Sequence, residues 1–197
     1  MKRTPGPVKQ KAIFIDKDGT LVNDIPYNVV PGLIDIYSDA IEGLRILKAD
    51  GFLVIVVSNQ SGIAHGYFSM EDLQISIESL KRSFEKAGVN MDAFYCCPHH
   101  PHGKVTKYAK VCRCRKPAPG LLLRAGRDLN VDLHASWMIG DILDDVEAGN
   151  RASCHTILID RGNETIWSIN DRRQPDFIAQ TVAEAARFIH SSIRSKS

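Results

Sequence analysis

Three features are missing from this sequence, and each absence removes a class of protein. No stretch of the 197 residues approaches the roughly 18 consecutive apolar residues that a membrane-spanning helix needs. The opening segment MKRTPGPVKQK is basic but has no hydrophobic core of the kind that secretion signals carry. A formal net charge of only +2 offers no broad surface for nucleic acid or anionic lipid. We therefore expect a cytoplasmic monomer with no membrane or nucleic-acid partner.

Cysteine is scarce and odd in number, which argues against a fold held by disulfides. Of the five cysteines, four lie between residues 96 and 114 and Cys154 stands apart. Complete pairing would leave one thiol over, and disulfides are uncommon in a reducing compartment. Cysteines that cluster with histidine in such a compartment more often bind metal. Cys154 is expected to be buried and inert.

The chain does have enough apolar residues, 44%, for one domain with a substantial core. Short β-rich runs alternate with helical stretches, which predicts an α/β fold with a doubly wound, mainly parallel sheet and helices on both faces. The predicted strands are Ala12–Ile15, Leu53–Val57, Ala93–Cys96, Trp137–Ile139 and Thr156–Ile159. The predicted helices are Asp39–Ala49, Met70–Ala87, Gly120–Asn130, Leu143–Arg151 and Val182–Ser192.

We predict that residues 1–197 form one domain without a separate cap, because the segments between the strands leave little room for one. The ends, residues 1–10 and 194–197, are expected to be flexible. The segment IWSINDRRQPDF, residues 166–177, has no motif character. We expect it to be a surface extension that leads to a last strand and helix.

Acidic and hydroxyl side chains follow several of the predicted strands. Asp16 and Asp18 come after the first strand, Ser58 after the second and Asp141 after the fourth. In such folds ligands bind beyond the carboxyl ends of the strands, so we expect these side chains to converge. Two neighbouring carboxylates repel each other in a partly dry crevice, and a hard divalent cation such as Mg²⁺ relieves that repulsion.

This set of groups suits phosphoryl transfer. One aspartate can attack phosphorus, and a second carboxylic acid can protonate the leaving oxygen and then activate water. A hydroxyl and a lysine can stabilise the phosphoryl oxygens. A lone DxD more often forms an Asx-turn or a helix cap. Here, however, DxDGT, S-N-Q, R-K-P and GDxxxD occur in order, which favours a catalytic site.

The segment between residues 97 and 114 predicts a zinc-binding loop. Cys97-x-His99 and Cys112-x-Cys114 supply three thiolates and one imidazole, a set that suits tetrahedral Zn²⁺. Four protein ligands leave no open position, so the zinc would be structural. Cys96 is an alternative ligand, but it extends an apolar run and is expected to be a small core residue. Ordering of this loop by metal would position the residues that follow it.

In their order and type, these motifs resemble those of the haloacid-dehalogenase-like (HAD-like) phosphatase superfamily. Within it, roughly residues 12 to 160 resemble the D-glycero-D-manno-heptose 1,7-bisphosphate phosphatases, to which the histidinol-phosphate phosphatases are a sister family. The stretches that carry this resemblance are FIDKDGTLV, VVSNQSGIAHGYF, YCCPHHPHG, CRCRKPAPGLL and MIGDILDDVEAG. The zinc-bearing branch of the family has the same C-P-H and C-x-C.

The resemblance implies a role for each matching position. Asp16 would be the nucleophile and Asp18 the general acid and base, with Ser58 and Lys116 on the phosphoryl group. Asp16, the backbone carbonyl of Asp18 and Asp141 would hold Mg²⁺. The residues implied to contact substrate are Asp24, Tyr27, Asn59, Gln60 and Arg115. For Asn59 and Gln60 a loop-capping role is an equal alternative.

Two positions depart from the family pattern. Ser58 stands where the family usually has Thr and retains the hydroxyl. Ile142 stands where the family commonly has Lys, which bears on the sugar and its anomer but not on the nucleophile or the metal. The implied reaction is Mg²⁺-dependent removal of the 7-phosphate from heptose 1,7-bisphosphate through an aspartyl-phosphate. The alternatives are a histidinol-phosphate phosphatase and a non-catalytic zinc-loop module that binds nucleic acid through CRCRK.

Overall fold

The protein is built around one six-stranded parallel sheet. The computed structural model describes residues 8–195. The strands lie in the order β3-β2-β1-β4-β5-β6, and all neighbouring strands pair in parallel. They are β1 (Ala12–Ile15), β2 (Leu53–Asn59), β3 (Ala93–Cys97), β4 (Trp137–Gly140), β5 (His155–Ile159) and β6 (Phe177–Ala179). The predicted α/β class is confirmed.

In the described part of the chain, six α-helices connect or follow the strands. They are α1 (Ser38–Ala49), α2 (Gly62–His65), α3 (Met70–Lys86), α4 (Gly120–Asp128), α5 (Leu143–Arg151) and α6 (Val182–Arg194). Short 3-10 turns lie at Pro31–Leu33 and Leu133–Ala135. All the predicted helices are found, and α2 was missed because a single turn is too short to show helical periodicity.

Helices cover both faces of the sheet, and the alternation of side chains along each strand explains why. In β1, Ile13 and Ile15 lie in a core shared with α1, α3 and α6, whereas Phe14 lies in a core with α4 and α5. Successive side chains of a strand point to opposite faces, so a strand covered on both sides is apolar throughout. All four residues of β1 are buried, as this arrangement requires.

The chain ends are only partly described. Residues 1–7 and 196–197, which fall within the predicted flexible ends, lie outside the described residues. The Gln10 backbone accepts a hydrogen bond from Asp132 N at 2.8 Å, and α6 continues to Arg194. Between residues 8 and 195, the structure contains no helix that is both long and apolar enough to cross a bilayer.

Candidate active site

The strand order reverses direction between β1 and β4, and the acidic residues gather at this point. Asp16 follows β1 directly and Asp141 follows β4 directly, and both are buried. Ser58 lies near the end of the adjacent β2. A cavity of about 210 Å³ opens here. It is lined by Asp16, Asp18, Asp24, Ser58, Asn59, Lys116, Asp141, Ile142 and Asn163. The structure thus brings together side chains from both sides of the predicted crevice.

Lys116 is the cation at the centre of this cavity. Its Nζ lies 2.5 Å from Asp16 Oδ1 and 2.5 Å from Asp145 Oδ1, and it donates to the Val57 carbonyl at 3.0 Å. Burial opposes the charge, but the carboxylates of Asp145 and Asp16 outweigh that effect and raise the pKa of Lys116. The ammonium group therefore stays charged although its side chain is only 2% exposed.

The carboxyl groups around Lys116 outnumber the nearby positive charges. Burial, followed by the nearby charge of Asp16, raises the pKa of Asp141 to about 6. Burial also raises the pKa of Asp145 to about 8, against the opposing effect of Lys116. Asp16, Asp141 and Asp145 each place an oxygen within 4.8 Å of the others. When all three carboxylates are ionised, they leave two negative charges beside the one ammonium group, which is the charge that one divalent cation balances.

Asp145 belongs to the GDxxxD motif, but no role was predicted for it. It lies four residues after Asp141, within the first turn of α5, so the helix carries its side chain back towards the strand end. Gly140 makes this approach possible, because a Cβ at position 140 would overlap the Asp145 side chain. The motif spacing was a signal that could have revealed this member of the site.

Asp18 has partners of its own at the cavity wall. Its Oδ1 lies 2.7 Å from Lys17 Nζ, and its Oδ2 accepts a hydrogen bond from Gln60 Nε2 at 3.0 Å. The same Gln60 nitrogen donates to Ser58 Oγ at 2.8 Å. Burial and the charge of Asp16 raise the pKa of Asp18, although Lys17 opposes them. Gln60 thus links Asp18 to Ser58. The sequence predicted either substrate contact or loop capping for Gln60, and it did not predict this link.

Asn59 holds the backbone of Lys116. Its Nδ2 donates to the Lys116 carbonyl at 3.1 Å, and its Oδ1 accepts from Lys116 N at 3.0 Å. This pair of hydrogen bonds joins the end of β2 to the segment that follows the predicted zinc loop. Asn59 therefore positions the lysine in addition to lining the cavity.

Of the remaining predicted substrate residues, Asp24 and Tyr27 line the space beside Asp18, whereas Arg115 lines neither of the two cavities described around the site. A second cavity of about 250 Å³ shares Asp18, Asp24 and Asn59 with the first and extends it past Tyr27. The residues that line these two cavities do not include Arg115. Its Nη1 is buried and makes no hydrogen bond to any residue between 8 and 195. After burial, the Arg115 charge contributes to lowering the pKa of His100.

Two more residues of the site were not predicted as contacts. Thr20 Oγ1 donates to Asp141 Oδ1 at 3.0 Å, and Asn163 Nδ2 donates to Asp141 Oδ2 at 2.8 Å. Thr20 belongs to the DxDGT motif, which was a usable signal. Asn163 belongs to the segment after β5 and has no motif around it, so only the folded structure reveals it.

The four predicted zinc ligands lie together. Cys114 Sγ is 3.1 Å from Cys97 Sγ and 3.4 Å from Cys112 Sγ, and His99 Nδ1 is 3.3 Å from Cys114 Sγ. Cys97 Sγ is 3.5 Å from Cys112 Sγ and 3.6 Å from His99 Nδ1. Ligands of a tetrahedral zinc ion are separated by roughly 3.5–3.8 Å, given the usual Zn–S and Zn–N bond lengths. A zinc ion would fit after a small expansion of the cluster.

Cys96 is not part of this cluster. It precedes Cys97 in β3, so its side chain lies on the other face of the sheet and packs with Ile63 and Leu73. All five cysteines are free, in agreement with the expectation of no disulfide. Cys154 is buried as predicted, and burial raises the pKa of its thiol to about 12.

The fold and the acidic site define the class of protein, and sequence comparison supports it. Residues 113–185 match the model of the HAD-hydrolase-like family. The D-glycero-beta-D-manno-heptose-1,7-bisphosphate 7-phosphatase of Pasteurella multocida (strain Pm70) is 39% identical over 181 residues, which cover 91% of this chain and 97% of that protein. The protein of the same name from Escherichia coli (strain K12) is 40% identical over 155 residues, or 79% of this chain and 81% of that protein.

A solved structure agrees with these relatives. The D,D-heptose 1,7-bisphosphate phosphatase of B. bronchiseptica, complexed with magnesium and phosphate, superposes with a TM-score of 0.77 and 27% identity, covering 93% of this chain and 99% of that one. The chain therefore belongs to the heptose 1,7-bisphosphate phosphatase family of HAD-like phosphatases. Membership of an enzyme family favours catalysis over a nucleic-acid-binding module.

Proposed function

We propose that this protein is a Mg²⁺-dependent phosphomonoesterase that removes the 7-phosphate of D-glycero-D-manno-heptose 1,7-bisphosphate. The observation that carries the proposal is the buried contact between Asp16 and Lys116, 2.5 Å apart at the strand-order reversal, beside Asp141. A nucleophile for phosphorus, a cation for the phosphoryl oxygens and an acidic metal site meet there. Relatives with the heptose phosphatase name support the choice of substrate.

Asp16 attacks the phosphorus of the substrate, and an aspartyl-phosphate forms as the bond to the sugar oxygen breaks. Asp18 donates the proton that the leaving sugar oxygen requires, and its raised pKa favours the protonated form. Asp18 then takes a proton from the water that hydrolyses the acyl phosphate. Lys116 and the Ser58 hydroxyl stabilise the phosphoryl oxygens in both steps.

The residues present fit a magnesium ion. Asp16, the Asp18 carbonyl and Asp141 would hold it, and Asp145 would hold Lys116 in place. Mg²⁺ prefers such hard oxygen ligands, and when bound it neutralises charge on the phosphoryl group. The magnesium and phosphate in the B. bronchiseptica phosphatase support this assignment.

The residues of the zinc loop fit a structural zinc ion. Burial raises the pKa of the Cys97 and Cys114 thiols, and a bound cation would favour their thiolate forms. Cys112 Sγ accepts a hydrogen bond from Arg115 N at 3.4 Å. A zinc ion at this cluster would therefore fix the residues directly before Lys116.

The sugar would occupy the second cavity beside Asp18. Asp24, Asn28, Asn59 and Gln60 provide polar groups there, and Tyr27 and Phe68 provide apolar surface. Such a mixture suits a polyhydroxylated leaving group. We infer a site without a separate cap domain, which is supported by the lack of any helix or strand between residues 98 and 119. The enzyme acts as a cytoplasmic monomer on this small substrate and needs no nucleic acid or membrane.

Phosphate release from the two anomers of heptose 1,7-bisphosphate and from histidinol phosphate tests this function. We expect the β anomer to give the highest kcat/KM, because the relatives are named for it. NMR of the product should show that the phosphate left from C7 and that the C1 phosphate remained. Preference for histidinol phosphate, or release from C1, would contradict the proposed substrate without affecting the proposed chemistry.

Magnesium should stabilise the protein more at neutral than at acidic pH. The pKa of Asp141 rises from 3.8 when exposed to about 6 in the fold, so metal-free stability falls as pH increases through that interval. The penalty for ionised Asp141 amounts to about 3 kcal/mol. Because Mg²⁺ removes this penalty, its increment in Tm should be larger at about pH 7.5 than at about pH 5.

Thermal melts with Mg²⁺ or EDTA at both pH values measure these increments. Asp141→Asn is the control and should show little Mg²⁺ increment at either pH. Equal increments at both pH values in the unmodified protein would argue against Asp141 as a metal ligand.

A further inference from the structure

We propose that Asn163 is a positioning residue that fixes the Asp141 carboxylate for the metal ion. The inference rests on the proposed role of Asp141 as a Mg²⁺ ligand. Asn163 lies in the segment after β5, is half-buried and lines the same cavity as Asp16 and Lys116. It would not touch the reacting atoms but would act through Asp141.

The two oxygens of Asp141 receive one donor each. Thr20 Oγ1 donates to Oδ1 at 3.0 Å and Asn163 Nδ2 donates to Oδ2 at 2.8 Å. A donor on each oxygen fixes the plane of the carboxylate and leaves further lone pairs for a cation. Partners of this kind usually determine how well a ligand is oriented towards its metal. Without Asn163, Oδ2 would lose its fixed donor and the carboxylate would have to be ordered when the metal binds.

Contacts on both sides of Asn163 hold its amide in place. Two residues before it, Arg161 Nη2 lies 2.6 Å from Asp39 Oδ2. The next residue, Glu164, accepts a hydrogen bond from Leu143 N at 2.7 Å through its Oε2. Gly19 lies beneath the hydrogen bond itself, since a Cβ at position 19 would overlap both Asp141 Oδ2 and Asn163 Nδ2. The amide is therefore oriented before any metal binds.

The contact with Glu164 also explains how α5 begins. The N-cap residue of α5 is Ile142, whose side chain has no acceptor for the free N–H groups of the first turn. Glu164 supplies the acceptor from 21 residues further along the chain. Asp141 directly precedes this helix, so residues 163 and 164 together hold Asp141 by its side chain and the start of α5 by its backbone.

An EPR titration with Mn²⁺ alone, a probe for the Mg²⁺ site, tests the inference without catalysis. We expect Asn163→Ala to weaken Mn²⁺ binding by about 10-fold, the lower end of the range for such supporting residues. Asn170→Ala is the matched control, since among residues 8–195 the Asn170 carboxamide accepts a hydrogen bond only from Arg172 N, within its own loop. Asn163→Ser is expected to show the same loss of Mn²⁺ affinity, and it replaces the alanine variant if that variant does not fold.

Kinetics provide a second readout that a purely structural role would not move. In Asn163→Ala the apparent constant for Mg²⁺ should rise by the same factor, whereas KM for the phosphate ester at saturating Mg²⁺ should stay unchanged. A lower Tm with Mn²⁺ affinity changed by less than about twofold would overturn the inference. If the protein hydrolyses no phosphate ester but Asn163→Ala still weakens Mn²⁺ binding, the proposed function fails and the inference stands.

Discussion

The Asp16→Asn protein should lose at least ~10³-fold in kcat/KM for phosphate release, because an amide cannot act as the nucleophile that forms the acyl phosphate. Asp16 is also one of two carboxylates that pair with Lys116, and Asp145 would retain that cation in the variant. The fold should therefore survive the substitution. Steady-state assays with Mg²⁺ and far-UV circular dichroism together measure the two effects.

A covalent trap makes this experiment specific for the nucleophile. Acid quenching during turnover, followed by peptide mass spectrometry, should find phosphate on Asp16 in the unmodified protein and on no peptide of Asp16→Asn. Asp35→Asn is the matched control, since Asp35 is exposed and lies outside both cavities. Retention of more than about a tenth of the activity by Asp16→Asn would be incompatible with the proposed mechanism.

The second large effect is expected from the zinc loop. Cys112→Ala removes one of the four proposed zinc ligands, so we expect the variant not to retain zinc. Turnover should fall by about 10²-fold, since the loosened loop would misplace Lys116. Zinc content by elemental analysis and phosphate release measure these changes. Mn²⁺ binding at the acidic site should remain, because Asp16 and Asp141 follow β1 and β4 and do not belong to the loop between residues 97 and 114.

Cys96→Ala is the matched control for this experiment. Cys96 is adjacent to a ligand in sequence but lies on the other face of β3, so its removal should leave zinc content unchanged. Full activity in a Cys112→Ala protein shown to be free of zinc would demonstrate that the loop does not position the catalytic lysine.

The sequence was sufficient for the class of fold because burial on both faces makes each strand apolar throughout. Ala12–Ile15 and Leu53–Val57 could be read in this way, and both are strands in the structure. The order of the strands in the sheet could not be predicted, since an apolar run does not indicate which other strands it pairs with. Phe177–Ala179 was expected only as a last strand without bounds, because three residues show no periodicity.

The same distinction holds for the site. The local sequence was enough to predict that three side chains of the site converge, because each lies at or directly after the end of a strand. These residues are Asp16, Ser58 and Asp141. The contact between Asn163 and Asp141 spans 22 residues and depends on how the segment after β5 packs against the residue that follows β4. No local sequence pattern predicts this packing.

The paired hydrogen bonds between Asn59 and Lys116 connect the two proposed ligand sites, so we expect binding at one site to affect binding at the other. They join the end of β2, which lies at the proposed phosphate cavity, to the segment that follows the cysteines of the proposed zinc site. Coupling between two binding sites is reciprocal. If bound zinc increases the affinity for phosphate, bound phosphate must increase the affinity for zinc by the same factor. A chelator should then remove zinc more readily from the free protein than from the protein saturated with phosphate.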